Sequence, residues 1–372
     1  MPLPDTAWRA TSRGVNSLSM EIVPDFNDAQ QWDRYVANHP QSRFCHLFAY
    51  RAIERSYGYR PRYFAFMKGG AIAGVLPAFE TNSLFFGKRL VSQPFSEYGG
   101  MLLDPDVTEA EFEEITAGLR SFLAARRIPT LEMHGRQGIL PEHLGASLAE
   151  RNRQQYAYLP LDRPIGEIWK DVVTYQVRKA VQKAERSGIT VVQKCDPATI
   201  RETFFPLYVD SMMRLGAPPH SIRYYLDCYD AFTGRMQIFW AMRNGVPIAG
   251  LLGFTCGRRV SIINIVSDER YWEERPNDLI HWEYIKWAQQ AGMSWFDFGS
   301  IRYEGQLRYK QKWGCRIEPH AYYILSREPQ RESAGFDSSS STMKKMSYLW
   351  SHHVPRAVGK AIGPFLRKQL VR

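Results

Sequence analysis

The chain has 372 residues, 44% of them hydrophobic and 13% aromatic, which is too long for one ordinary domain and enough for two cores. No apolar run approaches the ~20 residues that span a bilayer, and Met1 to Val23 carry Asp5, Arg9, Arg13 and Glu21 with no apolar stretch. That argues against a secretory leader and for a cytoplasmic address. A net charge of +10 favours polyanionic partners such as tRNA, nucleotide-linked sugars or anionic lipid, without choosing among them.

In chain order, the first clear pattern is Tyr63 to Leu76, which reads as strand, turn at Lys68-Gly69-Gly70, and returning strand. A second turn follows at Phe86 to Val91. A helix is predicted over Glu109 to Arg126, and a short strand with one acid, Glu132, over Thr130 to His134. The next predicted helix runs from about Asp171 to Arg186. Its apolar stripe is Val173, Val177, Ala180 and Ala184; its other face is basic, and Ser187-Gly188 ends it. Then the first pattern returns. Phe239 to Leu252 aligns without a gap on Tyr63 to Leu76, sharing Ile-Ala-Gly and turning at Asn244-Gly245. The small residues of Ile-Ala-Gly suggest close approach of another backbone. A turn at Cys256 to Ser261, a strand Ser261 to Val266, a helix Asn277 to Gln290 and a strand Trp295 to Gly299 with Asp297 complete the second copy. Two copies in one element order indicate a duplicated domain. The five cysteines are scattered, odd in number and without a C-x-x-C pair, so they read as reduced core residues.

Hairpin, central strand, loop, helix, strand is the order of the mixed α/β core of GNAT acetyltransferases, and a duplicated copy resembles the FemAB family of aminoacyl transferases. Phe296-Asp-Phe-Gly-Ser300 and Gly305 to Gly314 resemble its D-F-G and F-K-x-K-F-G signatures, with Tyr309 and Trp313 replacing phenylalanines. Val177 to Gly188 resembles its basic helix. Pro94 to Gly100, Arg214 to Pro218 and Arg275-Pro-Asn277 resemble the branch associated with PEP-CTERM exopolysaccharide systems. The resemblance covers roughly residues 20 to 328. It implies an α/β fold of two tandem GNAT-like domains with a cleft between them: an extension at 1–19, an acceptor-side domain at 20–160, a donor-side domain at 161–328, and a linker with a basic tail at 329–372.

The resemblance implies that Lys310 stabilises the oxyanion formed on a breaking acyl bond. The segment reads as an alternating strand, which puts Lys310 and Lys312 on one face and Tyr309, Gln311 and Trp313 on the other; function is favoured for Lys310 and not for Lys312. Asp297 can orient or deprotonate the acceptor amine, or cap a turn, with the structural role favoured. Arg178 and Lys183 on the basic helix suit phosphate or tRNA, or simply face solvent. Glu97 and Tyr98 beside Gly99-Gly100 can shape the acceptor pocket or pack a loop. Tyr309 and Trp313 complete the candidate binding set. No H-x-x-x-H, H-E-x-x-H, G-x-S-x-G or Walker pattern is present, and neither a metal nor a bound cofactor is expected.

An acetyl-CoA site would need a glycine-rich pyrophosphate turn before the helix at Asn277. The loop there, Ser267 to Pro276, has no glycine and four acids. That argues against CoA and for an aminoacyl-tRNA donor, with an envelope or exopolysaccharide precursor as acceptor. An acyl-CoA N-acyltransferase and a non-catalytic RNA- or precursor-binding module remain the alternatives. After a Ser-rich linker at 329–342, the tail reads as a basic amphipathic helix interrupted at Pro355 and Pro364. It suits docking on its own domain or peripheral contact with the inner face of a membrane, with docking favoured.

Overall fold

A computed structural model describes residues 19–136, 148–328 and 341–370; the N-terminal extension and most of the linker lie outside them. The strands are β1 (Glu21–Val23), β2 (Arg60–Lys68), β3 (Ala71–Ser83), β4 (Gly87–Ser92), β5 (Leu102–Leu103), β6 (Thr130–Arg136), β7 (Ala149–Pro160), β8 (Ile189–Gln193), β9 (Met236–Arg243), β10 (Val246–Cys256), β11 (Arg259–Ser267), β12 (Trp295–Ile301) and β13 (Arg316–Ser326). The helices used below are α1 (Ala29–Asn38), α2 (Glu109–Ala125), α3 (Tyr175–Arg186), α4 (Phe205–Arg214), α5 (Ile222–Ala231), α6 (Pro276–Gln290), α7 (Glu304–Lys312), α8 (Ser341–His353) and α9 (Arg356–Gln369). All the strands join one mixed sheet in the order β1-β2-β3-β4-β6-β13-β7-β12-β11-β10-β9-β8, with β5 on β3. The α/β class and the duplication are both visible in it.

The two hairpins form as their turn residues require. Lys68 pairs with Ala71 and Arg243 with Val246, leaving two-residue loops. Gly69, Gly70, Asn244 and Gly245 all take positive φ, the geometry that matches the strand twist. The shared Ile-Ala-Gly has two different neighbours. A Cβ on Gly74 would meet the Leu102 carbonyl at 2.8 Å, so β5 approaches there as backbone; a Cβ on Gly250 would meet the Trp240 ring at 2.7 Å. In each copy a helix then carries the chain to a parallel neighbour: α2 from β4 to β6, and α6 from β11 to β12. Thr108 and Glu111 form a reciprocal capping box that fixes the start of α2.

The halves are laced together. Strand β7, which follows the first copy, pairs with β12 of the second; β13, which follows the second, pairs with β6 of the first. β7 and β13 also pair with each other, so the sheet is unbroken across the seam. Each half has its own apolar core, and a third lies between them, where Phe44 stacks on Phe254 with ring centroids 4.5 Å apart. All five cysteines are free thiols, three of them buried.

Two predicted elements are corrected. The basic helix begins at Tyr175 rather than Asp171. A wide helical turn ends at Val172, Val173 is extended, and the Thr174 amide donates to the Lys312 carbonyl at 3.0 Å. Successive β-branched residues favour that extended break. The segment around Lys310 is helix α7, not a strand. Gly314, at φ 73°, stops it, with Gly314 and Cys315 amides returning to Gln311 and Lys310 carbonyls.

The tail docks on the body. Gly359 of α9 lies against Met213 and Gly363 against Pro219, Arg356 pairs with Asp210, and Tyr59 donates to the Lys368 carbonyl at 2.9 Å. Pro355 separates α8 from α9 as expected, but α9 runs through Pro364 because its flanking turns are pinned by these contacts. No helix among the described residues is long and apolar enough to cross a membrane.

Candidate active site

Strand β12 carries the centre of the site. Its pairing with β7 slips between Asp297 and Gly299, and Gly299 takes φ 79°. Such a bulge re-aims the backbone, and here it presents carbonyls to one side and amides to the other. Lys310 of α7 donates from Nζ to the Gly299 carbonyl at 2.8 Å and the Ser300 carbonyl at 2.6 Å. Glu97 accepts from the Ser300 amide at 2.9 Å, and its other oxygen pairs with Arg302 at 2.6 Å. Asp297 accepts from the Gly299 amide at 2.9 Å and from the Tyr98 hydroxyl at 3.0 Å. The Arg43 Nε stands 3.4 Å from its second oxygen. Four sequence candidates, Glu97, Tyr98, Asp297 and Lys310, therefore meet at one bulge on the seam between the halves.

Burial sets the electrostatics here. Lys310 is only 7% exposed, and desolvation lowers its ammonium pKa although Glu97 and Asp297 pull the other way. Burial also pushes the Glu97 carboxyl up, but Arg302 and the Ser300 donors outweigh it and hold the pKa at about 2. His320 of β13 is fully buried beside Tyr98, and desolvation lowers it to about 4, so its imidazole is neutral at pH 7. Neither Arg43 nor His320 was legible as a site residue; no local motif marks either, and the fold alone brings them to Asp297. Tyr98→Phe removes a buried hydrogen bond to a carboxylate and is expected to lower stability by about 1.5–3 kcal/mol, read by urea denaturation.

Behind α7 opens a cleft of about 530 Å³. Lys179, Lys183 and Arg186 of α3 line one wall; Arg275 and Asp278 at the start of α6, with Tyr309 and Lys312 of α7, line the other. A smaller hollow of about 210 Å³ shares Arg275, Asp278 and Tyr309 with it and is also lined by Trp272, Pro276 and Asn277. Residues i, i+4 and i+7 of α3 make one stripe about 10 Å long. The structure thus places Lys183 and Tyr309 in the cleft, while Arg178 turns away and donates to the carbonyls of Trp169, Lys170 and Val173. Lys312, unmarked in the strand reading, lies about 200° from Lys310 around the helix and faces the cleft. Trp313 is fully buried in the second core against Phe298 and His281.

The acidic loop before α6 does not face this cleft as a repulsive wall. Asp268 pairs with Arg270 at 2.5 Å, Glu274 with Arg243 at 3.1 Å and Glu269 with Arg214 at 4.0 Å. Arg275 instead takes a left-handed conformation at φ 62°, caps α6 and lines the cleft. The expectation that these acids would repel a pyrophosphate is therefore revised: three of the four are paired within the protein.

Asp278 is the acid that lines this basic cleft. It is 7% exposed, and burial raises its pKa to about 6 despite Arg275, Lys312 and the Tyr309 hydroxyl. Its folded value lies above its unfolded one, so it binds its proton more tightly when folded. That contribution is complete below the unfolded value of 3.8 and is lost as pH rises through about 6. Asp278→Asn should match the parent near pH 4 and be more stable near pH 7, by up to about 3 kcal/mol, read as urea unfolding at both pH values.

The fold defines a class, a chain of tandem GNAT-like architecture, and its second half carries the acyltransferase domain of that class. The family model for the Acetyltransferase (GNAT) domain matches residues 173–311, the stretch that holds β12, Lys310 and all of the named cleft residues but Lys312. Three solved structures are similar across most of the chain. A FemX crystal structure is 14% identical, covering 82% of this chain and 97% of its own, with a TM-score of 0.64. A tandem GNAT protein from the clavulanic acid biosynthesis pathway is 14% identical, covering 84% and 100%, with a TM-score of 0.54. L-PGS from Bacillus licheniformis is 12% identical, covering 82% and 96%, with a TM-score of 0.51. No curated protein matches the sequence.

Proposed function

We propose that this acyltransferase takes its acyl group from an aminoacyl-tRNA and forms an amide on an amine of a cell-envelope or exopolysaccharide precursor. The observation that carries the reading is the cationic stripe of Lys179, Lys183 and Arg186, which leads along α3 into the cleft. It is longer than one pyrophosphate needs and suits successive phosphates of a strand. With the donor strand on the α3 stripe, the acyl ester would reach past α7 to the β12 bulge, where the Lys310 ammonium stands on the side of the helix away from the cleft. The acceptor amine attacks the ester carbonyl, the tetrahedral oxyanion forms near the Lys310 ammonium, and the ribose hydroxyl leaves. No covalent enzyme intermediate is required. Asp297, already engaged by Tyr98, Gly299 and Arg43, acts in this reading by holding the bulge. The same seam, with Glu97 and Tyr98 from the first half, is the acceptor side.

A second reading has its own observation. Arg275 and the start of α6 form the inner end of the cleft, a place where the pyrophosphate of an acyl-CoA would also be received. The test is donor use by the purified protein, with radiolabelled mixed aminoacyl-tRNA set against acyl-CoA and envelope extract supplying acceptors. Transfer from aminoacyl-tRNA supports the first reading and identifies the amino acid. Transfer from acyl-CoA alone overturns it in favour of the second.

A further inference from the structure

Helix α9 docks on the body in an unusual way. The face it turns inward is made of Gly359 and Gly363, which lie against Met213 and Pro219, with Gly363 followed a turn later by half-buried Leu366. Apart from Leu366, its large apolar residues are not used for docking. Val358, Ile362 and Phe365 recur at helical spacing on a stripe roughly 100° away from the glycines, and Phe365 is 56% exposed. A helix that needed only to cover its own domain would turn those side chains inward.

The stripe leads to the last residue of the helix. Gln369 is its next member at i+4 from Phe365, and its side chain accepts from the Leu84 amide at 2.7 Å. The Gln369 carbonyl accepts from Ser83 at 2.6 Å. These bonds seat the β3–β4 turn against the helix end, and the turn presents Leu84, 78% exposed, and Phe85, 55% exposed. Two segments far apart in sequence thus join into one outward apolar ridge, about 10 Å from Val358 to Phe365 along the helix part alone.

The charge around the ridge selects its partner. Helix α9 carries Arg356, Lys360, Arg367 and Lys368 and no aspartate or glutamate, and of these Arg356 pairs with Asp210. A second copy of this surface would bring like charges together; an anionic bilayer would neutralise them while receiving the apolar side chains. We propose that Val358, Ile362, Phe365, Leu84 and Phe85 form a membrane-seating surface that inserts among anionic phospholipids. The proposal goes beyond the donor reading and stands or falls independently of it, since vesicle binding requires neither donor nor acceptor.

The test is co-sedimentation of the full chain with vesicles of phosphatidylcholine alone and of phosphatidylcholine with about 30% phosphatidylglycerol. The wild type should bind the anionic vesicles at least tenfold better than the neutral ones. Ile362→Glu with Phe365→Glu, and separately Leu84→Glu with Phe85→Glu, should each reduce that binding about tenfold. These positions are exposed, so melting temperature and intrinsic fluorescence should stay those of the parent. Three outcomes overturn the proposal. The wild type fails to bind, or both double variants bind as it does and only salt removes them. Otherwise, the wild type forms dimers that the same substitutions dissolve, with no vesicle binding.

Discussion

Replacing Lys310 with alanine is expected to lower turnover by about 10²- to 10³-fold, the range for loss of one oxyanion donor. Its ammonium is held at 2.6–2.8 Å by two carbonyls of the β12 bulge, on the seam where the proposed acyl ester would meet the acceptor. Desolvation already weakens its hold on the proton, so negative charge forming nearby is stabilised without water competing for the donor. The substitution also leaves the Gly299 and Ser300 carbonyls unsatisfied, which costs about 1–3 kcal/mol of stability. Activity must therefore be read with the folded fraction. Lys310→Met, which keeps the length of the stem, should lose kcat to the same degree while KM for the donor changes by less than about threefold. If either variant retains activity in proportion to its folded protein, Lys310 is a structural tie and has no part in the chemistry.

The second large effect is expected on donor binding. Changing Lys179, Lys183 and Arg186 together to glutamate should weaken the donor by about 10²- to 10³-fold at physiological salt. Three phosphate contacts on a single strand contribute a slope of about −2 to the plot of log affinity against log salt. That part of the slope should vanish in the triple variant. All three side chains are exposed on α3, and the apolar side of that helix, Val177, Val181 and Ala184, is untouched, so folding should be preserved. An acyl-CoA donor held only at Arg275 and the start of α6 would show a much smaller loss. Unchanged tRNA binding in the triple variant would remove the observation on which the proposed donor rests.

The sequence was most legible where structure is local. The glycines and Asn244 of the hairpin turns need positive φ, so both hairpins, and with them the duplication, could be read directly. Helix α2 carries its own start signal in Thr108 and Glu111. Helix α7 was misread because Lys310, Gln311 and Lys312 alternate like a strand. Glu304, Gln306, Arg308, Lys310, Gln311 and Lys312 are polar helix formers ahead of Gly314, and they are the better signal. The start of α3 depends on a bond from Thr174 to Lys312, which no local pattern announces. The site divided in the same manner. Lys183, Tyr309, Asp297 and Lys310 stood in motifs. Arg43 and His320 did not, because their relation to Asp297 exists only once the seam has formed. The pairing of the acidic loop with Arg214 and Arg243 is likewise a product of the fold, and without it the loop reads as hostile to phosphate.

The lacing of β7 and β13 also bears on how the chain reaches its fold. Strand β6 is complete early in synthesis, but its neighbour β13 is made nearly two hundred residues later, so its edge stays open in the meantime. Loop closure over that distance makes the pairing a late, non-local event. A ribosome-bound chain ending before Arg316 should therefore display an unprotected first half, and a protease nick between the halves of the finished protein should leave two fragments that do not part. For this molecule the repeat is a unit of ancestry, and the whole chain is the unit of folding.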